Sequence, residues 1–208
     1  MRANSAKGRL VSVMVVVAML AGFFWAAPSA DARVIEGDQV YARNRVIKPA
    51  VTVKGDILMR PGASLTVYGV VEGDIKISGG GNLFVTGRTG GPATVTGNIT
   101  ARGGGYIAIE DDATVEGNIF EFRAGHVRVG EGSTVIGNIR ERGPGFVFID
   151  SDSRVEGNIR EHGRGGVHVT GGGLVVGNVC EGGPPKGLSV IIDADAVTGT
   201  VKRCPVPK

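Results

Sequence analysis

The chain is poor in the residues from which active sites, nucleic-acid interfaces and membrane spans are usually built. Only 5% of its 208 residues are aromatic, and it has three histidines and two cysteines. His126, His162 and His168 fall in different registers, and no Ser/His/Asp or Cys/His set accompanies them, which argues against nucleophilic catalysis. Long apolar runs are lacking except for Leu10 to Trp25, which is short for a full membrane span. Arg2, Lys7 and Arg9 precede that run and Ala30-Asp31-Ala32 follows it, so residues 1–32 have the pattern of a signal peptide, and export to the periplasm, cell envelope or exterior is expected. Contact with a membrane is expected only through this segment. An excess of charge is missing too: without residues 1–32 the net charge falls from +3 to +1, with basic and acidic residues interleaved. Such a balance carries no electrostatic footprint for nucleic acid. Helical periodicity is not found anywhere after residue 33.

Repetition is what the sequence does have. A hexapeptide recurs every twenty residues as TVTGNI at Thr94, TVEGNI at Thr114, TVIGNI at Thr134, RVEGNI at Arg154 and LVVGNV at Leu174. Weaker copies start at Thr52, Val70 and Ala196, which places the repeat glycines at 55, 73, 97, 117, 137, 157, 177 and 199. Self-similarity at this period marks one supersecondary unit stacked on copies of itself. Within each repeat two short segments alternate apolar and variable residues, the period of a strand with one buried face. In one repeat they are Val115 to Ile119 and His126 to Val129. Most of the 36 glycines fall between such segments, where corners with positive φ are needed.

A coil of this length cannot bury its apolar face alone, but stacked coils enclose a continuous column of Val and Ile. The expected fold is therefore all-β, a single-stranded parallel β-helix of about eight coils of 18–24 residues. A right-handed coil is favoured by the chirality of parallel crossovers. Residues 33–50 are expected as an N-terminal cap or linker, 51–201 as the β-helix and 202–208 as a C-terminal cap or tail.

Columns of chemistry run through the repeats. Asn98, Asn118, Asn138, Asn158 and Asn178 can either hydrogen-bond amide to amide up the axis or simply tolerate left-handed corners. Glu121, Glu141, Glu161 and Glu181 form a second column, expected on a solvated face where Arg140, Arg142 and Arg160 offset its charge. Glu110, Asp111, Asp112, Glu131, Asp150, Asp152, Asp193 and Asp195 lie at turns. They are expected as ordinary turn formers rather than calcium ligands, because the Gly-Gly-x-Gly-x-Asp nonapeptide is missing. No metal site and no cofactor are expected.

Cys180 and Cys204 are expected to pair in an oxidising compartment. They are two residues out of register, which would put their α-carbons about 8 Å apart on extended neighbouring strands. The bridge thus requires the chain to fold back after Lys202. Outward aromatics, Tyr106, Phe146 and Phe148 on the second segment and Phe120 and Phe122 after the first, are candidate binding residues for envelope carbohydrate or a protein partner, or a seat for the chain's own residues 33–50.

The VKGDI, VEGDI, VEGNI and VIGNI copies resemble the bactofilins, the polymer-forming cytoskeletal family, over about residues 46–201. That resemblance implies a compact right-handed β-helix without catalytic residues that assembles end to end into filaments scaffolding envelope machinery. The leader, the cysteine pair and the Pro205/Pro207 finish depart from the family's pattern. Taken with the uniform coil lengths, which leave no loop to wall a cleft, the expected function is non-catalytic: an exported scaffold that self-associates or presents a rigid face, with carbohydrate or partner binding as the alternative and a polysaccharide-degrading enzyme third.

Overall fold

The computed structural model describes residues 32–87, 91–123, 125–182 and 189–204. The expected leader up to Asp31, the tail beyond Cys204 and most of the GGPPKG segment lie outside them. The described chain is all-β, with 25 short strands and no helix. Every pairing is parallel, and the strands stack into three sheets of eight, nine and eight strands, a β-solenoid of about eight coils.

Each coil contributes one strand to each sheet. Coil 5 is typical, with Thr114–Val115, Ile119–Phe122 and His126–Val129. Alternation puts Val115, Ile119, Val127 and Val129 inside with no exposed surface. Burying one such side chain is worth roughly 1.5–3 kcal/mol, and the set recurs in coil after coil in exact vertical register. The segment Val115 to Ile119, expected as a single strand, is in fact two strands separated by a corner at Gly117-Asn118. Its two apolar residues share the core but belong to different sheets.

The repeat glycines are required by close approach at that corner. A Cβ on Gly137 would lie 2.7 Å from the carbonyl carbon of Gly117 and closer still to its oxygen. The opposite corner uses pairs of residues in the left-handed region, Asp111 and Asp112, Glu131 and Gly132, Ser151 and Asp152, then Gly171 and Gly172. Most of the acidic turn residues therefore have a conformational role, which Asp fills more readily than bulkier residues.

Residues 33–50 are neither a linker nor a lid; they form the first full coil. Arg33–Glu36 pairs with Val51–Lys54, Gln39–Tyr41 with Ile57–Met59, and Arg45–Ile47 with Leu65–Val67. Ile35-Glu36-Gly37-Asp38 is a copy of the corner sequence Val53-Lys54-Gly55-Asp56, with Gln39 in place of the usual Ile. Together with Ile35 in place of Val, that polar substitution hides the coil from a search for V-x-G-x-I.

At the other end Cys180 and Cys204 are bonded, with α-carbons 5.1 Å apart. The chain leaves the extended path after Arg203, one residue later than expected, which brings the two α-carbons closer than the separation of about 8 Å on extended neighbouring strands. Strand Val201–Arg203 keeps its register with Val179–Glu181, and the Cys204 N–H still donates to the Glu181 carbonyl at 2.7 Å. The strand pairing ends after Arg203. The bridge closes a ring across a sequence separation of 24, worth about 3.5 kcal/mol in the chain-entropy account.

Candidate functional site

Three outward faces and one inward column carry the polar and aromatic side chains. At the corner between the first and second sheets the five asparagines form a continuous amide ladder. Asn118 donates its Nδ2 to Asn98 Oδ1, Asn138 to Asn118, Asn158 to Asn138 and Asn178 to Asn158, each at 3.0 Å. The same oxygens accept the backbone N–H of the next coil at 2.9–3.0 Å. Asp74 and Asp56 continue the ladder toward the N-terminus. Each Oδ1 from Asn98 to Asn158 is thus doubly occupied.

Beside the ladder, the outward column of the second sheet runs Thr100, Phe120, Arg140, Arg160, Cys180 and Lys202. Ladder and column together line a groove of about 420 Å³. Arg140 has its Nε buried with no hydrogen-bond partner. Burial, and then the like charges of Arg142 and Arg160, push its pKa below the usual arginine value. In the next outward column of the same sheet, the Arg102 guanidinium sits over the Phe122 ring, 5.5 Å from its centroid.

The third sheet holds the other aromatics. Phe146 stacks on His126 with centroids 5.8 Å apart and on Phe148 at 5.7 Å, and the edge of His168 meets both rings. Tyr106 pairs instead with Phe84 at 6.1 Å. The five expected aromatics are therefore divided: Tyr106 stands two coils before Phe146 in the same outward column, with His126 between them, and Phe120 and Phe122 lie on a different sheet. His126 and His168 lie on this exposed strand face, as expected of them, and Phe84, which was not expected, belongs to it too. The signal for Phe84 was available, since it stands between the inward Leu83 and Val85. On the same sheet Arg128 bridges Glu110 and Asp150, with the second carboxylate bound through Nε at 3.2 Å and Nη2 at 3.1 Å.

The glutamate column is not a solvated face. Glu121, Glu141 and Glu161 have no exposed surface and Glu181 only 3%, and the four point inward on the second sheet in the column occupied by Met59, Ile77 and Ala101 in earlier coils. The arginines expected beside them, Arg140, Arg142 and Arg160, are on the outer face, so no ion pair forms between the two sets among the described residues. Glu121 Oε1 accepts the Gly125 N–H at 3.1 Å, and Glu161 Oε1 accepts the Gly163 N–H. Neither oxygen of Glu141 has a hydrogen-bond partner of good geometry. Burial raises all four carboxyls, and for Glu141 burial together with Glu161 and Glu121 on either side carries the pKa up to about 9. His162, at the edge of the same column, is lowered by burial and then by Arg160, Arg140 and Arg142.

Among the described residues, no three His, Cys, Asp or Glu side chains are disposed to hold a metal ion. No family model, no curated protein and no solved structure matches the chain. Fold and surface together define a β-solenoid with an amide-and-cation groove on one face and an aromatic cluster on another.

Proposed function

We propose that the protein is a non-catalytic, exported structural solenoid of the cell envelope that joins copies of itself end to end and holds out rigid lateral faces. The observation that carries this proposal is the state of the two ends. Among the described residues, no strand covers the outer edges of Arg33–Glu36, Gln39–Tyr41 and Arg45–Ile47, the first strands of all three sheets. Ile35 and Tyr41 line an open mouth of about 480 Å³ rimmed by Arg33, Arg45 and Lys48. At the opposite end Val190 and Val201, in the inward columns of Val167 and Val179, are 40% and 47% exposed. Asp193 and Asp195 stand on the last corner there. Open strand edges over exposed apolar ends recruit a cap or another copy. A copy added in register sets Gln39–Tyr41 on Val201–Arg203, and so brings the Tyr41 ring onto Arg203.

The resemblance of the repeats to bactofilins supports the same proposal, and the leader pattern and the Cys180–Cys204 bridge support export, because disulfides persist in oxidising compartments. Replacing Ile35 and Tyr41 by Lys should convert assemblies to monomers in sedimentation velocity while the thermal transition of the remaining coils is kept. Large species persisting at the wild-type fraction would contradict end-to-end joining. A second function, binding of carbohydrate or a protein partner, is favoured by one observation: Phe146, Phe148, His126 and His168 make a continuous half-buried aromatic platform on a rigid sheet.

A further inference from the structure

The groove on the second sheet is lined by donors and offers almost no acceptor. Asn138 and Asn158 have spent both acceptor positions of their side-chain oxygens on the next coil, and the Asn178 oxygen accepts the Thr200 N–H at 3.0 Å. Each amide nitrogen carries two hydrogens and the ladder uses one. What the ladder can offer outward is therefore a row of N–H donors. Alongside run Arg140, Arg160 and Lys202, cations with no acceptor capacity. No carboxylate lines the groove, and none among the described residues pairs with these three cations. Arg140 keeps a buried donor without a partner and bears the repulsion of its like-charged neighbours. An anion in the groove would relieve both.

The donors are also periodic. Arg140 and Arg160 are adjacent in register, Cys180 follows with its side chain committed to the disulfide, and Lys202 comes next. The row spans about 14 Å over three strand spacings. The ligand it fits is extended, rich in acceptor oxygens and negatively charged at intervals, and it lies parallel to the rod axis. Aromatic stacking, which single-stranded nucleic acid relies on, is available only at one end of the row, from Phe120.

We propose that this groove is a binding site for a linear acidic polysaccharide, with Arg140, Arg160 and Lys202 holding its carboxylates and the asparagine amides its hydroxyl oxygens. The site lies on the side of the rod, so it is independent of whether the ends join. The experiment is calorimetric titration of the protein lacking residues 1–32 with tetragalacturonate, neutral maltotetraose, a polyglutamate peptide and a single-stranded oligonucleotide. Binding of tetragalacturonate alone, weakened at least tenfold by Arg140→Ala with Arg160→Ala and weakened by added salt, is the expected result. Because Arg140 is partly buried, Lys202→Ala provides a second variant at an exposed position, expected to weaken binding severalfold without moving the thermal midpoint. Phe146→Ser with Phe148→Ser should leave the affinity unchanged. Equal binding of polyglutamate or the oligonucleotide, loss of binding only in the phenylalanine variant, or no binding of tetragalacturonate would each overturn the proposal.

Discussion

Stability should be greatest near pH 4.5 and should fall steadily as pH rises toward 9, with the urea midpoint lower at pH 8 than at pH 5. The cause is the inward column Glu121, Glu141, Glu161 and Glu181. In the folded chain burial raises all four carboxyls, Glu141 up to about 9. In the unfolded chain each titrates near the ordinary glutamate value. A raised folded pKa means that the folded state holds its protons more tightly. The contribution is therefore fully present below the unfolded value and is lost as pH climbs through the folded one. Across that window each proton kept on folding costs ~1.4 kcal/mol per pH unit. Asp56, held below its ordinary value chiefly by its hydrogen bond with Lys76, and His162, lowered chiefly by burial, act in the opposite sense, Asp56 only at lower pH and His162 below its unfolded value, and the four carboxyls outnumber them.

Glu141→Met isolates the effect. The same column holds Met59 and Ile77 in earlier coils with virtually no exposure, so the site accepts an unbranched apolar side chain. The variant should gain stability at pH 8, by up to about 4 kcal/mol, because wild type must take up a proton at Glu141 to fold at that pH and methionine need not, and change little at pH 4.5. A flat stability profile, or a Glu141→Met variant weaker than wild type at pH 8, would mean that the column is ionised and paired.

Gly137→Ala should be strongly destabilising. Its Cβ would meet the backbone of Gly117, and a backbone carbonyl cannot rotate away as a side chain can. Relief requires coils 5 and 6 to separate at the corner, which strains the ladder bond from Asn138 to Asn118 and the pairing of Ile139 with Ile119. The expected loss is about 3 kcal/mol, the upper part of the range for overpacking, read from urea unfolding against Glu116→Ala, an exposed neighbour that should stay within about 0.5 kcal/mol. A Gly137→Ala protein as stable as that control would place the coils further apart than described.

Most of the fold is readable from Val115, Ile119, Val127, Val129 and their copies, because the core is periodic in both the strand and the coil. The acidic column was readable too, from the same alternation. Ile139 faces in, Arg140 out, and so Glu141 faces in. The cost of burying charge argued for the surface, and the chain meets that cost by shifting the pKa instead. The three-stranded coil was harder to see, since Gly117-Asn118 interrupts two strands without breaking the apolar pattern. The first coil was concealed by Ile35 and Gln39, which stand where the motif has Val and Ile. The groove could not be read from sequence at all, because it depends on the asparagine oxygens being consumed by the ladder, a fact of geometry that leaves no mark on composition.

Negative-stain electron microscopy of the protein lacking residues 1–32, at high concentration and in both oxidising and reducing buffer, tests end-to-end assembly most directly. Filaments one solenoid wide with an axial repeat of about 43 Å, nine strand spacings from Gln39–Tyr41 of one copy to the same strand of the next, are the predicted result. Monodisperse single particles in both buffers would contradict it.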